Sequence, residues 1–200
     1  NSLEFAKHTG SSLIYTSSGA VHGTVNRSDL PLTEDSKLEP SNFYGATKLI
    51  AEHYCKIFAE VHNVNTMIFR LWNVYGYPQT INHEIGWIPV VTAFLTLKNP
   101  EIFGDGHQTR DFTYVKDVVI GLIKGMQHLH KDYNGTEVIN LCGGRETSIN
   151  ELYKKCSSIV GRQIPPNYLP ASPGDVPCYL ASHDKAKSLL NWNSTSLDDG

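Results

Sequence analysis

Three stretches, Ser12-Leu-Ile-Tyr-Thr16, Tyr44-Gly-Ala-Thr-Lys-Leu-Ile-Ala-Glu-His-Tyr-Cys-Lys-Ile-Phe-Ala-Glu-Val-His62 and Asn65-Thr-Met-Ile-Phe-Arg-Leu71, decide the architecture. The outer two are short apolar runs rich in β-branched and aromatic residues, as strands are. The long one between them spaces its apolar residues with helical periodicity. Together they read as a β-α-β unit, whose two strands lie parallel because a helix must cross back between them.

The alternation continues outward. Ile88 to Lys98 reads as a helix, Glu101 to Phe103 as a short strand, Val115 to His130 as a helix and Glu137 to Leu141 as a strand. Ser148-Ile-Asn-Glu151 has capping-box spacing, in which the serine oxygen and the glutamate carboxylate each take an exposed backbone amide, so a helix opens there and runs to about Val160. Such a series predicts the α/β class, a doubly wound parallel sheet of Rossmann type whose ligands lie at the carboxyl ends of the strands. Pro and Gly thicken after Arg162 (RQIPPNYLPASPGDVP), which predicts a small loop-rich substrate lobe.

Composition narrows the partners. Seventeen Lys and Arg against twenty Asp and Glu give a formal charge of -3, which supplies no basic field for nucleic acid or an anionic membrane surface. No apolar run approaches the roughly 18 residues of a membrane span. Cys55, Cys142, Cys156 and Cys178 show no close pairing, so the expectation is reduced thiols and a cytoplasmic setting. His128 and His130 point to different sides of a helix, and no set of neighbours completes a metal site; none is expected.

Chemistry enters at Tyr44 and Lys48, whose i,i+4 spacing stacks a phenol and an ammonium on one helix face. Alone, this pair is an ordinary surface pairing. Upstream, however, a strand ends in Thr16-Ser17-Ser18-Gly19-Ala20-Val21-His22-Gly23; downstream come Arg70-Leu-Trp-Asn73-Val-Tyr-Gly76 and Phe103-Gly-Asp-Gly-His-Gln-Thr-Arg110-Asp111-Phe-Thr-Tyr-Val115-Lys-Asp117.

That ordered set resembles the extended short-chain dehydrogenase/reductase family, in particular its NAD-dependent sugar-nucleotide epimerases and dehydratases, and the resemblance covers nearly the whole chain. It implies that Tyr44 is the acid/base, that Lys48 binds the nicotinamide ribose and that Ser18 hydrogen-bonds the reacting hydroxyl. It also places Ser17, Tyr44, Lys48 and Leu71 on NAD. Asn73, Phe103, Arg110, Asp175 and Tyr179 fall with Ser18 on a nucleoside-diphosphate sugar, Arg110 gripping the diphosphate with its planar fork. For the domains it implies that residues 1–160 are part of the NAD-binding domain, with a substrate-lobe insertion around 77–110, and that 161–200 are part of the sugar-nucleotide lobe. A homodimer through the Tyr44 helix is implied too; Ile50, Tyr54, Ile57, Phe58 and Val61 form an apolar stripe there, although such a stripe is usually core.

The chemistry is consistent with these roles. A phenol titrates near 10, so a base working at pH 7 needs a shift of about 3 units, or ~4 kcal/mol, and one positive charge at about 4 Å supplies roughly that in a medium of effective dielectric ~20. Dehydratases and decarboxylases of the family carry acidic residues where this chain has Gly19 and Ala20, so the expectation is epimerisation at C4, through a 4-keto sugar, of a UDP-glucose or UDP-galactose-like substrate. The alternatives are another sugar-nucleotide reaction of the family or a non-catalytic sugar-nucleotide binder. Three positions depart from the family pattern: His22 for tyrosine, Ser172 for arginine and Ser182 for aspartate. No G-x-x-G-x-x-G loop occurs in the 200 residues. The resemblance therefore implies that an amino-terminal part of the fold is missing, and the expectation is that the chain alone exposes the Ser12 to Thr16 strand as an edge, aggregates or folds only in part, and binds NAD weakly.

Overall fold

The computed structural model describes residues 1–77, 90, 91, 94, 96, 98–129, 133–171 and 176–200. Chain order is α1 (Ser2–Thr9), β1 (Leu13–Ser18), α2 (Phe43–His62), β2 (Thr66–Leu71), β3 (Asn73–Tyr75), β4 (Glu101–Phe103), β5 (Thr109–Tyr114), α3 (Val115–Leu129), β6 (Thr136–Leu141), β7 (Glu146–Ser148), α4 (Ile149–Val160), β8 (Asn167–Leu169) and α5 (Asp184–Leu190). A short 3-10 turn, Gly19–His22, follows β1 directly. Of the helix expected over Ile88–Lys98, residues 90, 91, 94 and 96 are helical and Lys98 lies beyond it; the rest falls outside the described residues, as do His130 and Asp175.

Local chemistry sets the ends of the helices. Asn42 accepts the Gly45 amide at 2.8 Å to open α2, and Asn63 closes it in the left-handed conformation, which asparagine tolerates better than most residues. Ser148 Oγ accepts the Glu151 amide at 3.1 Å at the start of α4, as its capping-box spacing predicts.

β1, β2 and β6 form a parallel sheet in that order, with Ser18, Leu71 and Leu141 in register at its carboxyl edge. β1 occupies one edge and β2 the centre, where Thr66 through Arg70 are all buried. Alternate residues of β2 serve opposite faces. Met67 and Phe69 pack with Ile139 and Leu141 under α3 and α5, in a core that includes Val118, Leu190 and Trp192. Gly125 lets α3 settle closely on Phe69, whose ring would lie 2.8 Å or less from a β-carbon placed there. Arg70 is directed instead to α2.

Two smaller sheets flank this one: β3-β5-β7, in which β5 and β7 are antiparallel, and the parallel pair β4-β8. The tail returns to the main sheet: Ala186, Leu190 and Trp192 complete its core, Trp192 Nε1 donates to Asp117 O at 2.8 Å, and the Thr195 amide and hydroxyl both donate to the Asp117 carboxylate. No helix among the described residues is long and apolar enough to cross a membrane.

Candidate active site

The carboxyl edge of β1 and the first turns of α2 meet at one place. Lys48, on the second turn of α2, extends its ammonium to Thr16 O at 2.8 Å, and the same Nζ lies 5.6 Å from the Tyr44 ring centroid and 5.1 Å from that of Tyr15. Tyr44 itself is 56% exposed, and its ring faces the positive charge. Two residues beyond Thr16, Ser18 Oγ accepts the Ala20 amide at 3.2 Å, capping the 3-10 turn and keeping its own proton to donate. Phenol, ammonium and hydroxyl thus border the end of one strand.

Glycines permit that closeness. A β-carbon on Gly45 would lie 3.0 Å from both Ala20 C and Pro40 Cβ, and the Ala20 carbonyl oxygen is nearer still. On the other side of the turn, a β-carbon on Gly19 would meet the Trp72 ring at 2.9 to 3.0 Å. The turn is therefore held between α2 and Trp72, and a side chain at position 19 would collide with the Trp72 ring.

A ring-lined wall leads away from this turn. Trp72 meets Tyr179 edge-on at 5.5 Å, Tyr179 donates its hydroxyl to Gly23 O at 2.7 Å, and the Arg110 guanidinium lies 5.8 Å over the Tyr179 ring. Arg110 Nη1 donates to Thr109 O and Val176 O, both at 2.7 Å, which fixes the fork against the wall. The structure thus brings Arg110 and Tyr179 together and joins them to the Ser18 turn. Leu71 is half-buried beside Ser18 in the register, and Asn73 opens β3 two residues on. Phe103 is half-buried at the end of β4, in the separate two-stranded sheet. Asp175 lies outside the described residues.

Ser17 behaves differently from its neighbour. Its side chain is buried, with Oγ donating to Glu52 Oε1 at 2.6 Å, so any contact it makes with a cofactor runs through its backbone. Glu52 is also bound by Arg70, Nε to Oε1 at 3.1 Å and Nη2 to Oε2 at 2.9 Å, with side-chain exposures of 0% and 1%. The sequence reading does not single out this pair as a pair. A lone arginine in the apolar run TMIFRL was its available signal, because a buried charge requires a partner.

Three more motif residues turn inward. His22 is buried, stacked on Trp72 with centroids 6.1 Å apart, and its Nδ1 lies 2.9 Å from Lys37 O. Burial pushes its pKa down to about 4; the neutral ring donates Nδ1–H to that carbonyl, an assignment drawn from the bond. Asp111 is fully buried and accepts the amides of Gly143, Gly144 and Ala181 at 2.6 to 3.2 Å, while burial pushes its pKa up to about 7 against those bonds. Asp111 and Asp117, both in the longest motif, thus anchor loop and tail. Among the described residues no three His, Cys, Asp or Glu side chains gather as a metal set.

The groups present fit the nicotinamide-ribose side of a dinucleotide. Of its three donors the Lys48 ammonium gives one to Thr16 O, and the remaining two suit a ribose diol.

A parallel sheet with a tyrosine-lysine row at its carboxyl edge is an α/β arrangement of Rossmann type. The model for the NAD-dependent epimerase/dehydratase family matches residues 1–142, and the chain belongs to that family. It is 34% identical over 175 residues to a putative UDP-glucose 4-epimerase of Methanocaldococcus jannaschii, covering 87% of this chain and 55% of that protein. Among solved structures it resembles UDP-glucose 4-epimerase of Thermotoga maritima with UDP-glucose (TM-score 0.90, 31% identity, 99% of this chain and 63% of that one). A second likeness is to UDP-glucuronic acid 4-epimerase of Bacillus cereus in complex with UDP-glucuronic acid and NAD (TM-score 0.87, 32% identity, 99% and 62%). The chain thus spans less than two thirds of the length of these relatives.

Proposed function

We propose that the protein inverts C4 of a UDP-sugar, with UDP-glucose and UDP-galactose as the substrate pair, and that NAD is its cofactor. The observation that carries this reading is the Tyr44-Lys48 row set against Ser18, with Gly19 closed off by Trp72. Removing water from a sugar requires further acids and bases beside the ring. Gly19 stands too close to Trp72 to be replaced by one and Ala20 has no titratable group, and a proton moved to and from a single C4 oxygen is what one phenol can manage.

In this assignment Tyr44 Oη takes the C4 hydroxyl proton and later returns it. Lys48 sets its positive charge over the Tyr44 ring and holds the nicotinamide ribose with its two remaining donors. Ser18 donates to the C4 oxygen and orients it. When bound, NAD would supply a reversible hydride acceptor. Leu71 and the Ser17 backbone line the cofactor side. Arg110 and Asn73 hold the diphosphate, with Asp175 and Tyr179 near the ribose and Phe103 against the nucleotide base; we assign 77–110 and 161–200 to this substrate side and the remainder to the NAD-binding domain. Exposed Ile50, Tyr54, Ile57 and Val61 on α2 support a homodimer, and the composition supports a cytoplasmic setting.

The test is to incubate the full-length protein with NAD and UDP-galactose and to follow UDP-glucose by chromatography, with a Tyr44→Phe form beside it. The variant should lose about 10² to 10⁴ in kcat at similar KM. No interconversion by the wild type, or near-normal kcat in the variant, would sink the assignment.

A further inference from the structure

Tyr44, Lys48 and Glu52 follow one another at four-residue intervals along α2, so they form a row down one flank of the helix. Successive turns of the helix along this flank meet the end of β1 or the 3-10 turn that follows it. At the first turn Gly45 lies against Ala20; one turn on, Lys48 reaches Thr16 O; at the third, Glu52 receives Ser17 Oγ. The third contact differs from the others in being wholly buried. It is also joined to the sheet a second time, because Arg70 is the register partner of Ser17 on β2 and binds both Glu52 oxygens. Arg70 Nη1 then donates to Glu34 O at 2.9 Å, and Glu34 Oε1 accepts the Asn140 amide at 2.7 Å, which carries the network across to β6.

We infer that the Ser17-Glu52-Arg70 cluster is a positioning clamp for the proposed acid/base, fixing how far α2 sits along β1 and hence where Tyr44 and Lys48 stand against Ser18. The inference rests on the catalytic reading above. Packing alone does not account for such a cluster, since apolar side chains of similar volume often stabilise a buried site as well or better than an ion pair. They would hold the helix without fixing its height. Hydrogen bonds at 2.6, 2.9 and 3.1 Å to one carboxylate are directional and admit one register. The pair is also neutral as a unit, so the local field at the phenol is left to Lys48.

Ser17 is the gentlest place to test this, because its loss spares the ion pair. In the full-length protein Ser17→Ala should lower kcat roughly tenfold with KM little changed, and Ser17→Thr, which restores the hydroxyl, should recover most of it. A second readout does not need turnover. In a crystal structure of Ser17→Ala, α2 should stand displaced along β1, with Lys48 Nζ drawn out of hydrogen-bond reach of Thr16 O, 2.8 Å away in the wild type. A lower melting temperature with unchanged kcat and an unmoved α2 would reduce Ser17 to a structural hydrogen bond and overturn the clamp. If instead Tyr44→Phe keeps wild-type kcat, the catalytic reading fails, and the position of α2 in Ser17→Ala alone decides whether Ser17 positions the row.

Discussion

Gly45→Ala puts a methyl group in place of a hydrogen, one more carbon and two more hydrogens, at the point where α2 comes closest to the turn after β1. The new β-carbon would stand 3.0 Å from Ala20 C and 3.0 Å from Pro40 Cβ, with the Ala20 oxygen closer. Ordinary carbon contacts lie at about 3.5 to 4.0 Å, so something must retreat by roughly 0.5 to 1 Å. The turn has little freedom to do so, because Gly19 is already against the Trp72 ring and Ser18 caps the turn from below. The first turn of α2 moves instead, and Tyr44 moves with it. Alanine meanwhile favours helix over glycine by about 1 kcal/mol, which offsets part of the strain. The expected result is a protein that melts within a few degrees of wild type but whose kcat for sugar-nucleotide interconversion falls about 10- to 100-fold, since a misplacement near 1 Å can cost about that much. Initial rates and a thermal melt on the full-length protein measure both. A folded variant with kcat within about threefold of wild type would refute the reasoning, for the close approach would then have no bearing on Tyr44.

Two further expectations concern stability. Glu52→Gln leaves the buried Arg70 charge without its counter-ion, which should cost about 3 to 5 kcal/mol, whereas the paired change Glu52→Leu with Arg70→Met should be less destabilising than the single one; denaturant midpoints compare them, and a double variant weaker than Glu52→Gln would contradict the account. Stability against pH should reflect two opposed groups. His22, lowered to about 4 from an ordinary 6.5, destabilises the fold as pH falls from about 6.5 to 4, because only the unfolded chain takes the proton there. Asp111, raised to about 7 from 3.8, does the reverse, with stability present below about pH 4 and lost as pH rises to 7. Each is worth about 3 to 4 kcal/mol at 1.36 kcal/mol per unit, so the wild-type profile should be shallow between pH 4 and 6.5. His22→Gln should then grow less stable with rising pH across that window, and the opposite slope in urea titrations would show the assignment to be wrong.

The elements that could be read from the sequence are those whose signals are local. β1, α2, β2, β4, α3, β6 and α4 fall within two residues of the expected bounds, because their apolar period and their caps, Asn42 and Ser148, act within a few residues of each end. β3, β5, β7 and β8 were not legible as strands. Three of them are three residues long, and β5 is Thr-Arg-Asp-Phe-Thr-Tyr, whose polar residues read as a motif; only pairing with distant chain makes them strands. The site divides in the same way. Tyr44 and Lys48 were legible because helical spacing alone puts them on one face, but spacing could not say that Ser17 faces inward and Ser18 outward, which follows from the pleat of β1 once α2 covers one side. The buried pair was recoverable in principle. Arg70 sits inside an apolar strand where its charge cannot remain alone, and the preceding helix offers two glutamates, Glu52 and Glu60. Glu60 stands two turns further on, near the carboxyl end of α2 and so beside the start of β2. Only Glu52 is level with the carboxyl half of the strand, and it is the one that continues the row of Tyr44 and Lys48. A charge that the strand could not bury unaided therefore identifies which flank of the helix faces the sheet, and with it the flank that carries the proposed chemistry.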